Sequence, residues 1–145
     1  MNNVQYRFAK PEDAELLAPL NALLIRDEGH RNQMTVPQLA ERMAGWLRGA
    51  GYEAVLFEDA GMVKGYALYR RETEHVYLRQ LFVRPEFRRC GIGREAIGWL
   101  WRNAWQGVPR LRIEVLIGNK DAQAFWQSVG FTDYCVTMEM EPPTE

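Results

Sequence analysis

The feature that most constrains the fold is a strand-like stretch whose alternation of apolar and polar side chains changes phase in its middle. Val76 and Leu78 occupy one parity, whereas Leu81 and Val83 occupy the other. Because successive side chains of a strand point to opposite faces, one extra residue between these two pairs would restore the alternation. Such an extra residue is a β-bulge, which bends a strand away from its neighbour. A strand that is buried on both faces is the alternative interpretation.

The remaining pattern predicts a mixed α/β domain with the bulge in its fourth strand. Pro19 lies inside the first helical pattern and predicts a kink or a break there. The later strand–helix–strand units favour parallel pairing, and the earlier hairpin favours antiparallel pairing. We expect one domain over residues 1–140 and a frayed tail over 141–145. Strands are predicted near 4–8, 52–58, 62–70, 75–84, 111–117 and 134–140, and helices begin near residues 11, 35, 93 and 120.

Charge and composition exclude several classes of function. The 18 Lys and Arg residues nearly balance the 19 Asp and Glu residues, which argues against a nucleic-acid-binding module. No apolar run approaches the ~18 residues of a transmembrane helix, and the N-terminal residues lack the apolar region of a secretory signal. The two cysteines, Cys90 and Cys135, have no metal-binding spacing. We therefore expect a cytoplasmic protein with no metal site, no membrane contact and no nucleic-acid partner.

A glycine-containing loop that follows the bulged strand predicts an anion site. Gly91 and Gly93 stand where a helix begins, and a helix N-terminus offers unpaired N–H groups and a partial positive charge. Arg88, Arg89 and Arg94 add cations around the same point. A phosphate-like ligand fits this arrangement. A turn with solvated arginines is the plainer alternative.

A dinucleotide site is a second interpretation of this loop. Residues 91–96 formally match the G-x-G-x-x-[GA] fingerprint. Glu114 follows Gly93 at about the 20-residue separation that the acidic residue of this fingerprint has. That fingerprint belongs in a tight turn directly after a strand, whereas a longer, doubly basic segment separates the strand from Gly91 here. Glu114 also lies in the middle of a predicted strand instead of at its end. The context therefore disfavours the dinucleotide interpretation.

Further motifs carry a resemblance to a known family. Residues 88–93 read R-R-C-G-I-G and match [QR]-x-x-G-x-[GA] after a bulged strand, and Asn119, Phe125 and the Gly130–Phe131 pair follow at characteristic distances. In these features the chain resembles the GNAT (Gcn5-related N-acetyltransferase) superfamily over nearly its whole length. The resemblance implies a GNAT-like α/β fold, a mixed sheet with helices on both faces, and acetyl-CoA as a co-substrate.

The resemblance also implies which residues hold coenzyme A. Backbone groups of the bulged strand would pair with the pantetheine arm, and backbone N–H groups of the loop would hold the pyrophosphate. Asn119 and Phe125 would border the distal arm, although Asn119 is equally explained as a helix N-cap. The implied set is Leu81, Phe82, Val83, Arg88, Arg89, Cys90, Gly91, Ile92, Gly93, Arg94, Asn119 and Phe125.

The catalytic residues follow the family pattern less closely. Trp126 stands where many members have a tyrosine that is taken as general acid, and an indole cannot donate a proton in that way. Tyr134 is the nearest replacement, with an inward-facing aromatic on the last strand as the alternative. Glu114 is the candidate base, or else it pairs with a neighbouring arginine. On the bulged strand, Arg79 and Gln80 cannot act as bases, but Arg79 could bind an anionic group of the acceptor.

The sequence therefore predicts an N-acetyltransferase that moves an acetyl group directly from acetyl-CoA to a primary amine. The acceptor is a small molecule or a peptide, and a homodimer stays open. His30, Asp27 and Glu28 lie in the loop that borders the acceptor in the family, although a solvated loop also explains them. A non-catalytic acyl-CoA-binding module is the alternative function, because Trp126 leaves the acid position empty.

Overall fold

A computed structural model describes residues 3–29 and 31–144 of the chain. Its core is a five-stranded sheet in which each strand is hydrogen-bonded to the next along the chain. The strands are β1 (Gln5–Phe8), β2 (Tyr52–Asp59), β3 (Met62–Arg71), β4 (Val76–Val83) and β5 (Leu111–Arg112). The helices are α1 (Ala14–Glu28), α2 (Val36–Gly49), α3 (Ile92–Asn103) and α4 (Lys120–Ser128), with 3-10 turns at Pro11–Asp13 and Pro85–Phe87. The predicted mixed α/β class is confirmed.

The first two helices begin and end largely where local chemistry requires. Thr35 and Gln38 form a capping box where the second helix was predicted to begin, each side chain bonding the other residue's backbone N–H. Gly29 ends α1 in the left-handed conformation. The predicted break at Pro19 is wrong, because α1 continues through this residue. Packing of its apolar face, including the fully buried Leu17, outweighs the hydrogen bond that proline removes.

The predicted bulge in the fourth strand is confirmed. β3 and β4 are antiparallel, with Leu68 opposite Gln80 and Tyr69 opposite Leu78. Arg79 is therefore the extra residue, with no counterpart on β3. Since a bulge adds one residue to one strand only, the side-chain alternation changes phase at this point.

Helices cover both faces of the sheet, as predicted. Helices α1 and α2 pack on one face, where Leu20, Met43 and Tyr66 are buried together. On the other face α3 packs against β2–β4 through Ala96 and Leu100, and Trp105 is fully buried there. Trp101, on the same helix, is 37% exposed.

The far side of the sheet is shorter than the sequence predicts. β5 contains only Leu111–Arg112 instead of 111–117, and it pairs in parallel with Val76 and Tyr77. The predicted strand 134–140 is wrong, because residues 131–144 form neither helix nor strand. Alternation in a sequence states which face a side chain prefers, whereas a strand also needs a hydrogen-bonded neighbour. The apolar residues of this predicted strand are therefore exposed: Tyr134, Val136, Met138 and Met140.

The close approach of β3 and β4 yields a first prediction. A Cβ added at Gly65 would collide with the Phe82 carbonyl and lie 3.1 Å from the Val83 Cα, so Gly65→Ala should destabilise the fold by ~1–3 kcal/mol. Urea denaturation measures this loss. The matched control is Gly45→Ala on α2, where a Cβ meets nothing within 4 Å. That change should stabilise the protein by about 0.5–1 kcal/mol, and equal effects of the two variants would contradict the close approach.

Candidate functional site

One edge of β4 is open at its C-terminal end. The parallel pairing with β5 stops at Tyr77, so the residues that follow have no strand neighbour on that side. The Phe82 carbonyl points across to Gly65 on β3, whereas the Val83 carbonyl accepts a hydrogen bond from Arg88 Nε at 2.7 Å. Because backbone groups of a strand alternate in direction, Leu81 points its N–H and C=O to the same side as Val83. Of the strand residues expected to contact coenzyme A, Leu81 and Val83 thus direct backbone groups to the open edge, and Phe82 does not.

The loop after β4 leads to the N-terminus of α3. Arg89 and Gly91 have φ angles of 64° and 81°, in the left-handed region that glycine adopts without cost. The first N–H groups of α3, from Ile92 onward, have no carbonyl one turn earlier to accept from them, so they can bind an anion. Cys90 is exposed, and its Sγ lies 3.5 Å from the carbonyl oxygen of Arg88. The loop therefore presents backbone donors at the end of the open edge.

Two of the three loop arginines have structural partners. Arg88 contacts Asp27 Oδ2 through Nη2 at 2.5 Å, and its guanidinium lies 5.3 Å from the centre of the Phe82 ring. Arg94 donates to the carbonyl and hydroxyl oxygens of Ser128 on α4. Arg88 and Arg94 are exposed, as the alternative of solvated arginines expects, but each also has a protein partner. These contacts join the loop to the end of α1 and to α4.

Asn119 and Phe125 act first as structural residues of α4. The Asn119 side chain accepts from Ala122 N at 3.1 Å, which confirms the N-cap interpretation. The half-buried Phe125 lies against the start of α3, since a Cβ at Gly93 would be 3.2 Å from its ring. Phe125 is therefore next to the loop. The family resemblance implies that this residue borders the distal arm of coenzyme A.

Glu114 and Tyr134 lie on the β5 side of the opening. Glu114 is exposed and accepts a hydrogen bond from the Tyr77 hydroxyl at 2.7 Å, so the considered pairing with Arg112 is not observed. Burial and this carboxylate raise the pKa of Tyr77. Tyr134 is 77% exposed instead of facing inward, and Arg112 stacks on its ring at 4.7 Å.

A second group of polar residues lies beneath α1 and α2, and sequence reasoning passed over most of it. The buried Tyr66 hydroxyl donates to Gln80 Oε1 at 2.7 Å. Glu28, at the end of α1, is close enough to raise the pKa of Tyr66 in addition to the larger effect of burial. Burial, followed by the charge of Asp27, raises the pKa of Glu28. His30, which the sequence analysis placed in the loop bordering the acceptor, lies outside the described residues.

Arg42, Trp46 and Tyr52 complete this second group. Arg42 and Trp46 lie one turn apart on α2, and Tyr52 begins β2. The centres of the Trp46 and Tyr52 rings are 5.1 Å apart. The helical spacing of Arg42 from Leu39 and Trp46 was the available sequence signal, because it places an arginine beside the apolar stripe.

Two classes of feature are absent from residues 3–29 and 31–144. No three His, Cys, Asp or Glu side chains gather closely enough to hold a metal ion. No helix in these ranges combines the length and the apolar composition needed to cross a bilayer.

Comparison with known proteins identifies the family. The sequence profile described as the acetyltransferase (GNAT) family matches residues 19–131. The chain belongs to this family. It is therefore a GNAT N-acetyltransferase, an enzyme that uses acetyl-CoA.

Individual GNAT proteins resemble the chain over most of its length. A thialysine N-epsilon-acetyltransferase of Caenorhabditis elegans is 27% identical over 143 residues, which covers 92% of this chain and 86% of the relative. A possible acetyltransferase from Clostridium difficile 630 has a similar crystal structure, with a TM-score of 0.79 at 17% identity, covering 98% of this chain and 99% of that one. An aminoglycoside N-acetyltransferase in complex with CoA gives a TM-score of 0.78 at 16% identity, covering 98% and 96%. These similarities confirm the GNAT fold.

The environment of Glu28 predicts a pH-dependent stability. Burial raises the pKa of this carboxyl above its ordinary value of 4.5, so the folded state binds the proton more tightly than the unfolded chain does. The free energy of unfolding therefore falls as the pH rises through and above 4.5. Glu28→Gln removes this penalty and should raise the melting temperature at pH 7, with the gain disappearing below pH 4.5.

Thermal melts of both proteins across this pH range measure the effect. The control is Glu74→Gln, an exposed residue between β3 and β4, which should leave the pH profile unchanged. A gain for Glu28→Gln that stays constant with pH would contradict the burial of an ionised Glu28.

Proposed function

We propose that acetyl-CoA lies along the open edge of β4 and passes its acetyl group directly to a primary amine. The amine enters from the side of α1 and α2. The observation that carries this proposal is the continuity between the unpaired backbone groups of Leu81 and Val83 and the N-terminus of α3. The pantetheine arm bonds the strand edge as an additional strand would, and the pyrophosphate takes the N–H groups from Arg89 to Arg94.

Arg88 has a particular task in this arrangement. In the structure its Nε bonds the Val83 carbonyl, which is one of the groups that the pantetheine arm would use. The side chain must therefore move or share this acceptor when the ligand binds. Its contact with Asp27 keeps the guanidinium beside the loop, where it can meet a phosphate oxygen instead.

The reaction needs a polarised carbonyl and a neutral amine. The Leu81 N–H is the donor that stabilises the developing oxyanion of the thioester carbonyl. A lysine-like amine has a pKa near 10.4, so its neutral form costs roughly 4–5 kcal/mol at pH 7. Glu114 serves as the base, with the Tyr77 hydroxyl orienting its carboxylate. Glu28 is the second carboxyl near this space, on the opposite side.

The departing thiolate needs less help. If its pKa is like that of cysteine, about 8.5, protonation at pH 7 contributes only about 2 kcal/mol. Trp126 supplies no acid, and it packs against Phe125 and Phe131. Tyr134 remains the available hydroxyl, and otherwise the thiolate leaves unaided. Thialysine is the first acceptor to assay, since a relative over most of the chain carries that activity in its name.

Ligand binding tests the position of coenzyme A. Coenzyme A at 100 times its Kd should stabilise the protein by about 2.7 kcal/mol, and NAD should have no comparable effect. Gly91→Val should abolish this stabilisation, because a β-branched side chain blocks the approach to the N–H groups. The matched control is Gly61→Val in the β2–β3 turn, where φ is 79° against 81° at Gly91.

Both variants carry a similar backbone strain, so both should lower the melting temperature of the free protein. Only Gly61→Val should keep the shift caused by coenzyme A. If Gly91→Val also keeps it, the proposed position of the pyrophosphate is wrong. If NAD stabilises the protein and coenzyme A does not, the dinucleotide interpretation of the loop replaces it.

The base is tested by Glu114→Gln. Glutamine keeps the size and the hydrogen bonding but cannot accept the proton, so kcat at neutral pH should fall by roughly 10²–10⁴-fold with little change in acetyl-CoA affinity. The deficit should shrink as the pH approaches the pKa of the free amine, because more of the amine is then already neutral. The measurement is a pH–rate profile for the wild type, Glu114→Gln and Glu28→Gln. Parallel profiles with nearly equal rates for Glu114→Gln, beside a deficit in Glu28→Gln, would assign the base to Glu28.

A further inference from the structure

Two arginines from different elements stack on one tryptophan. The guanidinium carbon of Arg42, on α2, lies 4.4 Å from the centre of the Trp46 ring. That of Arg79, the bulged residue of β4, lies 4.7 Å from the same ring. The two guanidinium carbons are therefore at most about 9 Å apart, on the face of the sheet that α1 and α2 cover. We call this group the arginine pair.

The positive charge of the arginine pair is not compensated within the described part of the chain. Neither guanidinium has a carboxylate within ion-pair distance there, and the polar partners are Asn21 Oδ1 at 3.4 Å from Arg42 and the Tyr52 hydroxyl at 3.3 Å from Arg79. Arg42 Nε and Asn21 Nδ2 are buried with no hydrogen-bond partner. Burial, and then the charge of Arg79, lower the pKa of Arg42. Arg42 is half-buried and Arg79 is exposed, and a half-buried charge beside a like charge is costly unless an anion joins them.

Two other arginines of the chain have carboxylate partners, so acids are available to neutralise arginines in this structure. Arg7 lies between Asp13 and Glu58, each at 3.0 Å. Arg70, whose side chain also reaches Tyr52, contacts Glu72. The arginine pair differs from Arg7 and Arg70 because neither of its members has a carboxylate partner in the described residues, and Arg42 Nε is a buried donor without an acceptor.

We propose that the arginine pair binds a carboxylate of the acceptor, so that the substrate is a small amine bearing its own carboxylate, as an amino acid does, and not a polyamine. This inference rests on the proposed function, because it specifies the substrate of that same site. Arg79 lies two residues before Leu81, which is about 7 Å along the strand. An acceptor whose carboxylate is held by Arg79 and Arg42 therefore has its amine within a few carbon atoms of the thioester. Planar guanidinium groups suit a carboxylate, which accepts paired hydrogen bonds.

Three acceptors isolate the contribution of the carboxylate: L-lysine, L-lysine amide and 1,5-diaminopentane. They present the same terminal amine on the same carbon chain. At the α-carbon, lysine carries a carboxylate, lysine amide a neutral amide and diaminopentane a hydrogen. The wild type should prefer lysine over both others by roughly 10- to 100-fold in kcat/KM, as expected for charged hydrogen bonds. Isothermal titration of each compound into the coenzyme A complex should give the same order without any turnover.

The variants Arg42→Gln and Arg79→Gln should each bring the lysine-to-diaminopentane ratio close to one while leaving the KM for acetyl-CoA unchanged. The matched control is Arg48→Gln, an exposed arginine in the last turn of α2, which should keep the full preference. A general loss of structure would lower the rates for all three acceptors together, so the ratio separates recognition from folding.

The outcomes separate this inference from the proposed function. Equal or better acetylation of diaminopentane by the wild type, or a lysine preference that survives both arginine variants, would overturn the inference and leave the acetyl transfer intact. If no amine is acetylated, the proposed function fails, and the titrations still decide whether the arginine pair binds a carboxylate. Lysine binding no tighter than diaminopentane would overturn the inference in that case too.

Discussion

The extra residue at Arg79 in β4 is the constraint on which the rest of the site depends. Before the bulge, β4 pairs with β5 through Val76 and Tyr77; after it, the strand has an open edge toward β5. A regular strand in this position would offer a continuous edge for pairing, as sheets normally do. The bulge also lets two consecutive side chains find polar partners on the same face of the sheet. Arg79 donates to the Tyr52 hydroxyl, and Gln80 accepts from the Tyr66 hydroxyl. One inserted residue thus accounts for both the opening and the polar surface beside it.

The two sides of the opening are joined by the contact between Arg88 and Asp27. Both side chains are about two-fifths exposed, so the ion pair contributes little stability, on the order of 0–1 kcal/mol. Its importance is geometric, because Asp27 precedes Glu28 at the end of α1 and Arg88 also holds the Val83 carbonyl. In the proposed complex, a ligand phosphate that attracts Arg88 therefore acts on the residue that also contacts Asp27 near the end of α1. The loop and the end of α1 are thus linked through the side chain of Arg88.

Local chemistry made much of this structure predictable from the sequence. The phase change around Arg79 and the start of a helix at the loop glycines each depend on residues that are near in the chain, and each is found as predicted. The strand at 134–140 failed because its alternation carries no information about a pairing partner. Of the arginine pair, the sequence indicated only Arg79, as a residue that could bind an anionic group of the acceptor. Its other member, Arg42, lies far away in sequence, and only the packing of α2 on the sheet brings the two together.

The arginine pair also bears on how the amine loses its proton. A nearby cation disfavours the charged form of an ammonium group, so Arg42 and Arg79 lower the pKa of an acceptor amine held near them. A bound carboxylate offsets one of the two positive charges and leaves the other to act on the amine. Deprotonation of the amine is the costlier requirement of this reaction, at roughly 4–5 kcal/mol against about 2 kcal/mol for the thiolate. In the proposed reaction the two cations therefore act on the step that needs more help, and the proposed base, Glu114, carries a smaller part of the cost of removing the proton.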